Sequence, residues 1–209
     1  MIDELTGVVL AGGRSRRFGS DKAFADWQGR TLVEAAADSL LRVLPDILVV
    51  TKDPPAFAFM ESRRVRIVED FVIEAHPLGG IYTALRRLKT RHAFICACDM
   101  PFVAPRLIEA LWAARGEHDA VIPIWGGTRQ GLCGIYSRRC AGKIRSSIAR
   151  GEFRINALFD SVATRFYSEA EIKRSDFEGR SFQDIDTRED YARAKSQAAF
   201  QGGSLCAPQ

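Results

Sequence analysis

Leu5-Thr6-Gly7-Val8-Val9-Leu10-Ala11-Gly12-Gly13-Arg14-Ser15-Arg16-Arg17-Phe18-Gly19-Ser20-Asp21-Lys22 is the stretch from which the rest of the chain can be read. An apolar run at residues 8–10 breaks at Gly12-Gly13, and the following residues bring Arg14, Arg16, Arg17, Gly19 and Lys22. This is the pattern of a buried strand feeding a phosphate loop. Glycine, lacking a Cβ, lets backbone N–H groups come close to a ligand, and successive N–H groups in a turn form a concave anion site. The arginines add planar forks and Lys22 a point charge, as a polyphosphate requires. Two common phosphate loops do not fit. Five residues separate Gly13 from Gly19, and Ser20-Asp21 follows where a P-loop needs Lys-Ser/Thr; the dinucleotide fingerprint Gly-x-Gly-x-x-Gly is missing too.

Outward from this loop, strand-like runs alternate with helical spacing. Strands are expected at residues 47–50, 65–68, 93–97, 120–124 and 132–136, with a short one at 163–167. Helices are expected at 32–44, closed by Pro45-Asp46, then at 57–60, 79–88, 107–114, 143–150 and 188–198. Such alternation implies βαβ units and a parallel sheet covered on both faces. The expected fold class is α/β: a single-domain, Rossmann-like three-layer sandwich with a mostly parallel central sheet over residues 1–200. A tail at 201–209 shows no periodicity and is expected to be mobile. Sheets of this kind bind ligands at the carboxyl ends of their strands. Gly12-Gly13, Thr51, Asp70 and Asp99 each follow a predicted strand and can share one cleft.

Composition narrows the alternatives. At 209 residues and 46% hydrophobic content the chain can bury a sizeable core. No run reaches the ~18 apolar residues of a membrane span, and Met1-Ile2-Asp3-Glu4 does not begin a leader peptide, so a cytoplasmic protein without membrane contact is expected. Five cysteines, Cys96, Cys98, Cys133, Cys140 and Cys206, form no C-x-x-C pair and read as reduced residues, mostly of the core. His76, His92 and His118 are scattered and read as structural. The net charge of +4 is modest; Arg86, Arg87, Lys89 and Arg91 follow helical spacing and read as a solvated helix face, not a nucleic-acid stripe.

Asp99 is the second anchor. It directly follows Phe94-Ile95-Cys96-Ala97-Cys98, and Pro101 is expected to end that strand. A turn-capping Asp is one reading. Beside a polyphosphate loop, a Mg²⁺ ligand is the better one, because Mg²⁺ is commonly held by one or two carboxylates together with phosphate oxygens and waters. Asp70 can accept hydrogen bonds near a nucleotide or act as a cap.

Leu10-Ala11-Gly12-Gly13, Ser15, Arg17, Gly19 and Asp21-Lys22 resemble the signature of small-molecule nucleotidyltransferases, and within them the molybdenum cofactor guanylyltransferases. Cys98-Asp99-Met100-Pro101-Phe102 is similar to that family's metal-binding segment, and Pro77-Leu78-Gly79-Gly80-Ile81 to a glycine pair that approaches the nucleotide at a helix start. Thr51 aligns with a nucleotide-contacting position where Asn is usual. Two segments depart from the pattern. Gly131, in Gln130-Gly131-Leu132-Cys133-Gly134-Ile135-Tyr136, replaces a common proline. In Phe182-Gln183-Asp184-Ile185-Asp186-Thr187-Arg188-Glu189-Asp190, Asp184 and Asp186 replace asparagines; either is a candidate second metal carboxylate, while Thr187 with Asp190 reads as a helix N-cap.

The resemblance implies transfer of GMP from GTP to the phosphate of molybdopterin, releasing pyrophosphate. It implies Arg17, Lys22 and Asp99 as catalytic residues and Leu10, Ala11, Gly12, Gly13, Lys22, Thr51, Asp70 and Asp99 as the nucleotide site. It further implies Mg²⁺ on Asp99, and molybdoenzymes or cofactor-insertion proteins as partners. A CTP-using or sugar-phosphate nucleotidyltransferase is the nearest alternative, and a non-catalytic GTP-binding regulator the alternative of another class.

Overall fold

The computed structural model describes residues 1–12, 22–74, 76–185, 187 and 189–194. Gly13, Arg14, Ser15, Arg16, Arg17, Gly19, Asp21, Asp186, Cys206 and the tail at 201–209 lie outside the described residues.

The chain opens with β1 (Leu5–Leu10), buried along nearly all its length. A two-strand ribbon, β2 (Asp26–Trp27) and β3 (Arg30–Thr31), turns through Gln28 and Gly29, both with positive φ, and leads into α1 (Leu32–Leu41). Thr31 caps α1 in a capping box with Glu34. β4 (Ile47–Thr51), a 3₁₀ helix at Pro54–Met60, β5 (Val65–Glu69), α2 (Pro77–Arg87), β6 (His92–Ala97) and α3 (Pro105–Ala113) complete the first half. Then come β7 (Ala120–Trp125), β8 (Thr128–Arg129), β9 (Cys133–Ser137), α4 (Cys140–Ala149), α5 (Ile155–Ser161), β10 (Thr164–Tyr167), α6 (Glu169–Ile172) and a 3₁₀ turn at Arg180–Phe182.

The main sheet runs β10-β7-β9-β6-β1-β4-β5, with β8 paired to β7. β1 is parallel to both β4 and β6, β4 is parallel to β5, and β10 is parallel to β7. Along this path only β9 runs the other way, pairing antiparallel with β6 and β7. No helix separates β7 from β9, so a hairpin replaces the crossover that a parallel partner needs.

Strand side chains alternate between two cores, as the period of two requires. Leu5 and Val9 of β1, with Ile47, Val49, Phe94 and Cys96, meet α1, α3 and α6 through Val33, Leu40, Leu107, Leu111 and Ile172. Val8, with Leu48, Val50 and Ile95, meets α2, α4 and α5 through Ile81, Leu85, Ile144 and Phe159 on the other face. The result is the three-layer α/β sandwich with a mostly parallel sheet. Cys96, Cys98, Cys133 and Cys140 are free and buried, and burial raises the Cys140 thiol to about 12.

The strand before Asp99 ends at Ala97, as expected; the turn at Cys98 and Asp99, closed by the Met100 N–H donating to the Ala97 carbonyl at 3.3 Å, ends it ahead of Pro101. Several expectations need correction. α2 stops at Arg87, where Leu88 takes an extended conformation; Lys89 and Arg91 therefore lie beyond the helix face assigned to them. Gly131 is small because α5 lies against it: a Cβ there would sit 2.8 Å from Ile155 Cδ1 and 3.2 Å from Phe159 Cζ. α5, α6 and the β2–β3 ribbon were not legible, being short and weakly periodic. The N-cap reading at Thr187 holds: the Thr187 N–H donates to Asp190 Oδ2 at 3.1 Å, and the Asp190 N–H donates back to Thr187 Oγ1 at 3.0 Å.

The 3₁₀ turn before Asp184 is tightly specified. Asp176 accepts from the N–H groups of Arg180 and Ser181 at 3.0 and 2.8 Å, and Ser181 Oγ accepts from the Ala104 N–H at 2.8 Å. Gly179 enters this turn at φ +64°, and a Cβ there would lie 2.1 Å from the Trp125 ring, which stacks on Phe182. Gly179→Ala combines left-handed strain with overpacking and should cost about 2 kcal/mol or more. A lowered denaturation midpoint with unchanged slope is the expected result; a wild-type midpoint would show that Trp125 is free to move aside.

Candidate active site

The carboxyl ends of β1, β4, β5 and β6 are stitched by backbone hydrogen bonds that continue past the strands. The Ala11 N–H donates to the Val50 carbonyl at 2.8 Å, the Cys98 N–H to the Leu10 carbonyl at 3.1 Å, and the Asp70 N–H to the Thr51 carbonyl at 2.7 Å. Gly12, Asp70 and Asp99 are thereby held around one cleft, whose walls also include Leu10, Lys22 and Gly80.

Asp99 stands at the centre of the charge arrangement. Its Oδ2 pairs with Lys22 Nζ, both side chains being largely buried. Its Oδ1 is buried and has no hydrogen-bond partner among the described residues. A buried carboxylate oxygen left without a donor is costly, and a cation on it removes the cost. No cluster of three or more His, Cys, Asp or Glu able to hold a metal exists among the described residues. One carboxylate in such a cleft nevertheless fits Mg²⁺, which needs few protein ligands when phosphates and waters supply the rest. The Ile185 N–H donates to the Asp99 carbonyl at 3.1 Å, which fixes the chain next to the exposed Asp184.

Asp70 is anchored from three sides. Oδ1 accepts from Thr83 Oγ1 at 2.6 Å and from the Val72 N–H at 3.2 Å, while Oδ2 lies 2.9 Å from Lys52 Nζ. Lys52 also donates to the Val72 carbonyl. The carboxylate is thus a well-satisfied post in the cleft wall. Thr51 is placed differently from the other expected residues. It is buried at the end of β4, where its Oγ1 accepts from the Asp53 N–H at 3.2 Å, and Val50 rather than Thr51 lines the cleft.

Gly12 and Gly80 carry different constraints. Among the described residues, a Cβ on Gly12 would reach only Lys52 Cγ, at 3.9 Å, and Gly12 lines the cleft. A Cβ on Gly80 would meet Leu10 Cδ2 at 3.2 Å, so Gly80 lets the first turn of α2 close against β1. The positive end of α2 then looks into the cleft, favourable to an anion. His76, at the N-cap of α2, also lines the cleft and packs at a tilt against Phe153, with ring centroids 5.1 Å apart; partial burial lowers its pKa. Lys52, Thr83 and His76 were missed in the sequence. Only the position of His76 beside Pro77-Leu78-Gly79-Gly80 offered a signal.

The fully buried Thr83 provides a clean test of the Asp70 post. Thr83→Val leaves Oδ1 short of its best donor and should cost about 1–3 kcal/mol of stability. Urea denaturation reads the loss, and an unchanged midpoint would mean that Asp70 is held by Lys52 and the backbone alone.

The family model for the MobA-like NTP transferase domain matches residues 7–165. The chain is 32% identical over 206 residues to a molybdenum cofactor guanylyltransferase from Desulfosudis oleivorans, covering 98% of this chain and all of that one. Its structure is similar to that of molybdopterin-guanine dinucleotide biosynthesis protein A from Archaeoglobus fulgidus, with a TM-score of 0.81 and 25% identity over 93% of this chain and 99% of that one. 4-Diphosphocytidyl-2C-methyl-D-erythritol synthase from Anaerococcus prevotii shares the fold at a TM-score of 0.72 but only 14% identity, over 94% of this chain and 99% of that one. With a family model that spans most of its length and a relative aligned from end to end, this chain belongs to the MobA-like NTP transferase family.

Proposed function

We propose that the chain transfers GMP from GTP to the terminal phosphate of molybdopterin. A phosphate oxygen of molybdopterin forms a bond to the α-phosphorus, the bond from that phosphorus to the bridging oxygen breaks, and pyrophosphate leaves with the electron pair. The product is molybdopterin guanine dinucleotide. The observation that carries the reading is Asp99 beside Lys22, with one buried carboxylate oxygen left unsatisfied, in a chain that aligns over its length with a guanylyltransferase.

Each residue has a task in this scheme. Gly12 leaves backbone room for the triphosphate, and the N-terminus of α2 faces it. Lys22 moves from Asp99 toward the phosphates, where it offsets charge developing on the departing pyrophosphate. Arg17, outside the described residues, shares that task. Asp99 would hold Mg²⁺, which when bound neutralises phosphate oxygens. Asp70 keeps the nucleotide side of the cleft in place, Leu10, Ala11 and Gly13 complete the proposed nucleotide site, and Thr51, buried beside the cleft-lining Val50, supports it from behind. Asp184 and Asp186 are candidates for a second carboxylate, supported by the hydrogen bond from Ile185 to the Asp99 carbonyl. The phosphate nucleophile is anionic at neutral pH, so the reaction asks for positioning and charge stabilisation and needs no general base.

Incubation with molybdopterin and each of GTP, CTP, ATP and UTP, reading pyrophosphate and the dinucleotide, tests the assignment. GTP alone should support turnover; preference for CTP, or GTP binding without pyrophosphate, overturns it. Asp99→Ala and Lys22→Ala should each lower kcat by roughly 10²- to 10³-fold, and wild-type turnover in either removes that residue from the mechanism.

A further inference from the structure

A cavity of about 750 Å³ opens at the end of the sheet opposite the active cleft. β6 runs from His92, which lines this cavity, to Ala97, which lines the cleft; at ~3.3 Å per residue the two are about 17 Å apart. Three separate stretches of chain bring cations to it: Lys89 and Arg91 from the loop after α2, Arg115 from the turn after α3, and Arg138 and Arg139 from the turn before α4. Glu4 and Glu117 are the carboxylates in its lining, so positive charge is in excess.

Two of the cations are pre-positioned. Arg139 Nε lies 2.7 Å from Asp119 Oδ1, and its guanidinium donates to the Glu117 carbonyl at 2.9 Å. The Arg115 guanidinium lies 3.6 Å over the Trp112 ring and donates to the Trp112 carbonyl. Lys89, Arg91 and Arg138 are exposed and have no carboxylate partner among the described residues.

Helix electrostatics account for only part of this cluster. Lys89 and Arg115 follow helix C-termini, where a cation is favoured. Arg138 and Arg139 do the reverse. They immediately precede the N-terminus of α4, whose first turn holds no acidic residue and whose N-cap, Arg139, makes no side-chain cap. Asp119 offsets Arg139, but Arg138 has no carboxylate partner among the described residues, and a cation at the positive end of this ten-residue helix is unfavourable until an anion binds beside it. His92 senses the same excess: after burial, Arg115, Arg139 and Arg91 are the groups that lower its pKa, against Glu4, which raises it. Its ring packs edge-on against Trp112 at 5.4 Å.

We propose that this cavity is a second anion site, separate from the catalytic cleft, that takes a polyphosphate chain, either free or carried by a nucleotide. Its volume falls in the range of small-molecule sites, and its concave shape with convergent cations suits a compact multiply charged ligand better than an extended surface.

Inorganic tripolyphosphate without divalent metal is the probe, and the histidine ring resonances are the reporters. The chain has only three histidines, of which His92 reports this cavity and His76 the cleft; His92→Gln assigns the signal. Saturable shifts of His92, a rise in its pKa, and weaker binding at higher salt are expected. The Arg91→Glu/Arg138→Glu double variant should bind at least about tenfold more weakly while keeping the His76 response and the turnover of GTP. An unmoved His92 pKa overturns the proposal, as does wild-type affinity in the double variant. Equal affinity for tripolyphosphate and for a nucleoside triphosphate assigns the phosphate chain as the whole determinant; tighter nucleotide binding, lost on Trp112→Ala, assigns a nucleotide. Binding of neither at His92 sinks it.

Discussion

The parallel pairing of β1 between β4 and β6 is the constraint on which the rest depends. β1 is covered on both faces, and its register with β4 and β6 is continued beyond the strands by the bonds from Ala11 to Val50 and from Cys98 to Leu10. Backbone hydrogen bonds in such an interior are nearly obligatory. A shift of one residue would send each side chain of the strand to the opposite core and would also displace Gly12 relative to Asp99. The same ladder that stabilises the sheet therefore sets the geometry of the cleft.

Charge is distributed so that the two ends of the sheet differ. At the carboxyl edge, cations and carboxylates are paired: Lys22 with Asp99 and Lys52 with Asp70. Lys52 and Thr83 keep Asp70 rigid, whereas the Asp99 pair leaves one oxygen unsatisfied. In the proposed reaction Lys22 exchanges a carboxylate for phosphate, and Asp99, released from the lysine, would hold the metal, so neither charge would be left alone. At the amino edge, the cations around Trp112 outnumber the acids that share their cavity, and the field there favours an anion without any catalytic arrangement.

Much of the fold was legible in the sequence because burial on both faces makes strands into continuous apolar runs. Residues 47–50 and 93–97 read as strands for that reason and lie within β4 and β6; residues 65–68, within the edge strand β5, read as a strand despite the exposed Arg66 because Val65, Ile67 and Val68 suit a strand. Asp99 was legible because a carboxylate directly after such a run falls at the carboxyl edge of the sheet, where ligands of parallel sheets bind. The antiparallel placement of β9 was not, since an apolar run carries no direction. Lys52 and Thr83 were hidden as well. Their importance lies in meeting Asp70 across 18 and 13 residues of chain, and no local pattern records that meeting. The space around Gly131 was misleading in the sequence, where the residue looked like a missing proline; α5 accounts for it.

The central claim is that Asp99 holds the metal that accompanies the nucleotide. Mn²⁺ binding, followed by electron paramagnetic resonance with and without GTP in the wild-type protein and in Asp99→Asn, tests it most directly. The account predicts Mn²⁺ binding that strengthens with GTP and falls by at least about tenfold in the variant. Wild-type Mn²⁺ affinity in Asp99→Asn with GTP present would contradict it.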